Sequence, residues 1–252
     1  MNKYIKFLYT LGAIVAVVGI WAIASYGKIV SPIFLPTPGE VLVNLYKSFA
    51  DTSMLVDLWS TMYKFLIAFV IAVILGTPLG ILMGSSQKIY YSLEFLVEFF
   101  RSIPTTALFP LFILFFGIGD DSKIAVAVWG AGLIIIVNTM YGVHGIKKLR
   151  LLVADNLKLN HLQRFRDIIF PDALPAIVSG YRIALSIALV IVVVTEMFIG
   201  AQHGLGYRII NAQLVYNTAD MFSAILIAGV LGFVSNKLVQ FAEEKCIHWK
   251  GK

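Results

Sequence analysis

The chain has 252 residues, 59% of them hydrophobic and 13% charged, with a formal net charge of +6. Soluble domains carry about 45–50% apolar and about 25% charged residues, so a soluble globular domain is excluded. Apolar runs of roughly 20 residues without strand-like alternation exclude a β-barrel and leave an all-α membrane protein with several spans.

The first predicted span covers 7–26, and Lys3 and Lys6 before it favour a cytoplasmic N-terminus. Ala22-Ile-Ala24 resembles a signal-peptidase site, but the run exceeds the usual apolar core of about 7–15 residues, so the segment is read as uncleaved. The stretch from Pro32 to Gly39 is too rich in proline for a regular helix, and Glu40–Ala50 reads as a short amphipathic helix on the outer surface. A second span at 58–83 is interrupted by Gly76-Thr77-Pro78, and Gly80 and Gly84 allow close helix approach. Ile89–Phe100 is expected at the cytoplasmic interface. A third span at 103–118 begins at Pro104 and breaks again at Pro110. The fourth span, 124–143, contains Asn138, which either lines a polar path or bonds a neighbouring helix.

A polar, basic stretch at 145–175 follows. Leu152–Leu159 reads as a short helix and Leu162–Phe170 as an amphipathic one, and Phe170-Pro171 and Leu174-Pro175 break the chain before the fifth span, 176–200. Arg182 lies near the inner end of that span and can snorkel; Glu196 lies near its outer end, as a gate, a docking residue or a partner of the Gly204–Gly206 loop. Residues 201–219 are external, with Gly204-Leu-Gly206 marking a tight turn or re-entrant bend, and the sixth span is 220–241. Of the 20 Lys and Arg residues, Lys28, Lys47, Lys123 and Arg208 fall outside and Lys64 inside the second span, leaving 15 on the side of both termini. That side is the cytoplasm. The basic excess is thus one of membrane orientation, and no nucleic-acid partner is expected. The single cysteine, Cys246, permits no internal disulfide and is read as a surface thiol.

Several separated segments carry a resemblance: Leu35-Pro-Thr-Pro-Gly-Glu40, Gly76-Thr-Pro-Leu-Gly80, Arg101-Ser-Ile-Pro104, Phe116-Gly-Ile-Gly119, and Glu196-Met197 followed by Gly204-Leu-Gly206. On these the chain resembles the permease subunits of binding-protein-dependent ABC importers, in the group that includes nitrate, taurine and alkanesulfonate permeases. The family's coupling loop reads Glu-Ala-Ala, three residues, Gly, nine residues, Ile, one residue, Leu-Pro. Here that register gives Leu152-Val153-Ala154, then Lys158, Ile168 and Phe170-Pro171. The spacing matches, while the usual Glu is Leu152, the second position is Val153 and the usual Gly is Lys158. An adapted ATPase, a more standard partner permease, or drift with impaired coupling would each account for the departure.

The resemblance implies a single permease domain over residues 1–252 with six transmembrane helices, type I importer architecture and a cytoplasmic coupling helix at Val153–Asn160. Coupling contacts would fall on Val153, Ala154, Asp155, Leu157, Lys158, Leu159, Asn160 and Phe165, with Leu157, Leu159 and Phe165 as apolar anchors and Lys158, Arg164 and Arg166 at the rim. Asn138, Arg182 and Glu196 are pathway or gate candidates. No G-x-x-x-x-G-K-[ST] sequence occurs, so ATP and Mg are expected on two partner ATPase subunits and no cofactor on this chain. The implied partners are a second permease copy, identical or different, the ATPases, membrane lipid, and an extracytoplasmic solute-binding protein docking on 35–50 and 203–217. The implied location is the bacterial inner membrane, and the solute is small, polar and often anionic: nitrate, bicarbonate, a sulfonate or taurine, or a small vitamin precursor. An ion-coupled secondary transporter is the alternative. It would want midplane acids, for which only Glu196 is available. A membrane enzyme is disfavoured because His144, His161, His203 and His248 lie near helix ends, in loops or in the tail.

Overall fold

A computed structural model describes residues 3–246, all helix and connecting turn, with no strand among them. The helices are α1 (Lys3–Tyr26), α2 (Pro38–Ala50), α3 (Ser53–Ser85), α4 (Gln87–Ser102), α5 (Phe109–Phe116), α6 (Asp120–His144), α7 (Lys148–Asn156), α8 (His161–Arg164), α9 (Phe170–Phe198), α10 (Leu205–Leu214) and α11 (Thr218–Cys246). Five stretches are long and apolar enough to cross a membrane: Phe7–Tyr26, Ser53–Ser85, Asp120–His144, His161–Phe198 and Thr218–Lys245. Gln87–Ser102 and Thr105–Phe116, bent by 88° at a short break, make a sixth if counted as one span. Cys246 as a thiol, and His248, lie outside the described side chains.

The prolines act differently from expectation. Pro78 does not interrupt the second span: α3 is continuous from Ser53 to Ser85 with Pro78 inside it. Proline removes one backbone donor, and in a bilayer neighbouring helices compensate for that loss. Pro104 does break the chain, because the residue before a proline is driven out of the helical region; Ile103 stands at ψ 122°. The third span at 103–118 is therefore not one helix but a 3₁₀ turn, Thr105–Leu108, followed by α5. Pro110 sits in the first turn of α5, where a missing N–H costs nothing. Pro171 in the first turn of α9 and Pro175 further along it both lie within a continuous helical run, so the expected break before the fifth span is absent. Instead α8 passes through a π-helical turn, Phe165–Ile169, directly into α9.

The contacts divide the chain into two units. The first contains Met1–Ser60 and Gln202–Gly229. In it Thr37 and Glu40 form a reciprocal capping box at the start of α2, with Pro38 in the first turn. Trp21 Nε1 donates to the Pro36 carbonyl at 2.9 Å, and the Trp21 ring stacks on Phe222 at 6.0 Å. The stretch expected as an external turn contains a helix, α10, which starts after Gly204 at φ 137°, a conformation that favours glycine.

The second unit contains Thr61–Ala201 and Val230–Lys252. Its core is α6 against α3 and α9. Gly76, Gly80 and Gly84 repeat every fourth residue on α3 and face α6: a Cβ at Gly80 would lie 2.7 Å from the Ile136 carbonyl oxygen and 2.6 Å from Thr139 Cβ. Small residues at this spacing let two backbones approach where lipid gives helices no hydrophobic reason to associate. On the far side of α6, Gly180 of α9 meets Asn138, and Gly142 meets Ala173 and Ala176. Phe65, Phe109, Val126, Leu185, Leu189 and Val192 fill the larger cluster, and Ala72, Ala131, Ile135, Ala184 and Ala188 the tighter one.

Candidate coupling loop and intramembrane polar residues

The residues matched to the coupling pattern do not form one helix over Val153–Asn160. Val153, Ala154 and Asp155 lie on α7, which ends at Asn156. Leu157, Lys158 and Leu159 form a turn, Asn160 caps α8, and Phe165 opens the π turn. The physical reason is Lys158, which stands at φ +52°. Its N–H donates to the Asp155 carbonyl at 3.0 Å, and Leu159 N–H donates to the Ala154 carbonyl at 3.1 Å. These two bonds are the Schellman termination, whose left-handed position glycine usually occupies. Lys158 thus adopts a conformation that glycine usually takes at a helix end. Asn160 Oδ1 accepts from Gln163 N at 2.9 Å and Gln163 Oε1 from Asn160 N at 3.0 Å, which starts the next helix at once.

Around this turn Arg164 Nη1 pairs with Asp155 at 2.7 Å, Arg150 with Asp172, and Arg166 with Asp167. Ala154 is buried, and Leu159 and Phe165 are half-buried. Leu149, Leu152, Val153 and Leu157 are 72%, 56%, 47% and 64% exposed, and they stand outside the candidate spans. An open groove of about 550 Å³ beside Val153 is lined by Arg150, Asp167, Ile168, Pro171 and Asp172 as well.

The three intramembrane candidates do not converge on one another. Asn138 Nδ2 donates to the Ile134 carbonyl of its own helix at 2.9 Å and packs on Gly180. Arg182 reaches down α9 to Glu243 of α11 at 3.3 Å. Glu196 is 1% exposed and accepts from Thr61 Oγ1 at 2.8 Å and from Lys64 Nζ at 2.9 Å. Lys64, also 1% exposed, lies 3.5 Å from Asp120, which in turn pairs with Lys123 at 3.0 Å and accepts from Tyr63. Sequence reading missed this network. Its signal was present: Lys64 stands alone in an apolar run, and an intramembrane charge implies a partner.

The first unit holds a second missed cluster. Arg208 of α10 binds Asp220 with Nε at 2.9 Å and Nη2 at 2.7 Å, Asp57 with Nη1 at 3.1 Å, and Ser48 with Nη2 at 2.8 Å. Asp57 also accepts from Gly204 N at 2.9 Å. Burial alone lowers the Arg208 pKa, but hydrogen bonding and charge from Asp220, then Asp57, outweigh it and raise the pKa above the ordinary value.

Apolar spans with an exposed polar loop between two of them define a multi-pass membrane protein. The chain belongs to the family of binding-protein-dependent transport system inner membrane components, whose profile matches residues 76–245. It is 31% identical to the SsuC protein of Bacillus subtilis (strain 168), assigned to aliphatic sulfonates transport, over 93% of this chain and 84% of that one. It is 27% identical to the taurine transport system permease protein TauC of Escherichia coli (strain K12), over 96% of this chain and 90% of that one. Its fold is that of a chain in the inward-facing MetNI methionine ABC transporter, with a TM-score of 0.65 at 21% identity, over 76% of this chain and 93% of that one.

Proposed function

We propose that this chain is a gate without a motor, importing a small polar or anionic solute such as a sulfonate, taurine or nitrate. ATP and Mg are held by two cytoplasmic ATPase subunits and not by this chain. The chain acts as one permease domain, paired in the lipid with a second permease copy, identical or different, and both of its termini are cytoplasmic. A solute-binding protein delivers the solute to the outer surfaces at 35–50 and 203–217. The closing ATPases press on the coupling loop, and alternating access follows as rigid segments rock.

The observation that carries this reading is the apolar, solvent-facing side of α7 and its terminating turn. Leu149, Leu152, Val153 and Leu157 lie outside the candidate spans, and an exposed apolar patch with a charged rim is the signature of a protein contact. Val153 and Leu157 would seat in the ATPase, with Asp155, Lys158 and Asn160 around them and Ala154, Leu159 and Phe165 bracing the turn from within. Val153→Asp with Leu157→Asp is expected to reduce the ATPase activity that copurifies with the tagged chain by about tenfold or more, a cost of about 1.4 kcal/mol or more, with membrane insertion unchanged. Unaltered copurification would overturn the docking site.

A further inference from the structure

The polar groups on the second unit's α9 and α11 are not used by the coupling argument. Ser179, Arg182, Ile183, Ser186 and Ile187 recur at helical spacing along one stripe of α9, and with Asn236 of α11 they line an open groove of about 420 Å³. The other side of α9 is buried and apolar, with Ile177, Gly180, Ala184, Leu185 and Ala188 packed away from solvent. The stripe itself lies within a candidate span of mean hydropathy 2.4. An intramembrane guanidinium turned to lipid is costly, so such groups face protein or water or snorkel to the interface.

The chemistry of the lining is one-sided. A guanidinium offers five N–H donors, an amide two and each hydroxyl one, and among the described residues no carboxylate lines the groove. Arg182 is 40% exposed, and its described ion pair is the 3.3 Å contact from Nη1 to Glu243, whose side chain is 11% exposed. Asn236 Nδ2 donates to Ser186 Oγ, and Ser186 Oγ donates to the Arg182 carbonyl at 3.3 Å. These bonds tie the amide and the hydroxyl to the turn that carries the guanidinium.

We infer that this stripe is an anion-contacting stretch of the transport pathway, in which Arg182 supplies the charge, Ser179 and the remaining amide N–H of Asn236 supply donors to a small oxyanion, and Ser186 holds the amide in place. The inference rests on the permease reading above and adds that the permease itself, and not only a binding protein, selects for charge. Glu243 serves as the resident counter-ion: it neutralises Arg182 when the passage is empty and yields to a passing sulfonate or nitrate. A bound anion then exchanges one ion pair for another, which keeps its hold weak enough for release.

The test combines Cys246→Ser with Ser186→Cys and labels the full transporter in membrane vesicles. The probes are an anionic reagent, sulfonatoethyl methanethiosulfonate, and a cationic one, trimethylammonioethyl methanethiosulfonate. Relative to free cysteine, the anionic reagent is expected to be favoured by at least about tenfold, as a nearby fixed charge requires. Arg182→Gln should abolish that preference, Arg182→Lys should keep it, and Glu243→Gln should increase it. Failure of the introduced thiol to react with either reagent would overturn the proposal by showing a dry stripe. An equal preference with and without Arg182 would overturn it as well. Labelling does not depend on ATPase docking, so failure here leaves the docking experiment standing, and the reverse holds too.

Discussion

Glu196 and Lys64 bring opposite charges together, each 1% exposed, from positions far apart in the chain. Removing one member of such a pair costs up to about 3–5 kcal/mol because the other charge stays buried, less where a second acid remains, as Asp120 does 3.5 Å from Lys64, whereas replacing both is close to neutral. Glu196→Gln is therefore expected to lower the melting temperature of the purified protein in detergent markedly, and Glu196→Gln with Lys64→Met to recover at least half of that loss. No recovery in the double variant would mean that Glu196 acts chiefly through its other contacts, such as Thr61. Lys158 gives the opposite prediction. Its left-handed backbone strains any residue with a Cβ by about 1–2 kcal/mol, against which glycine loses about 0.4–1 kcal/mol of chain entropy. Lys158→Gly should thus stabilise the turn by about 0.5–1 kcal/mol, seen as slower amide exchange at Leu159 than in the parent. The Lys64 pairing was only half legible: an isolated intramembrane lysine announces a partner, but nothing local in the sequence says which acid it meets.

At the level of elements, the Gly76, Gly80 and Gly84 series was readable because small residues at four-residue spacing have one main use in a bilayer, and α6 fills the place opposite them. Gly80→Ala would push a methyl group to 2.7 Å from a backbone carbonyl that cannot give way. Gly132→Ala on α6 meets nothing within 4 Å. The first is expected to cost roughly 2 kcal/mol or more through overpacking, and the second to be neutral or slightly stabilising in the same thermal assay. Equal effects of the two would refute the close α3–α6 approach. The helix ends were less legible. Pro104 broke the chain as its neighbour rule requires, while Pro110 opened a helix and Pro78, Pro171 and Pro175 were carried through helical runs. A proline's meaning depends on its distance from a helix start, and the sequence states that only roughly. The coupling segment was misread as a helix through Asn160 for a related reason: lysine does not advertise a left-handed turn as glycine does.

For the whole molecule, hydropathy sufficed to exclude a soluble fold and to find five spans, since lipid leaves a backbone few alternatives. The broken third span and the helix after Gly204 were beyond that signal, being set by backbone angles at single residues. One consequence follows from the π turn at Phe165–Ile169. It splices the loop to α9, giving a continuous helical run of 38 residues, His161–Phe198, with the π turn and Pro175 inside it. At about 1.5 Å per residue that run is some 55 Å long. The stripe proposed to touch the cargo lies on this shaft, and the residues proposed to feel the nucleotide cycle sit on α7, joined to its end by the 157–160 turn, so a shove from the motor has one short hinge to cross before it displaces the stripe.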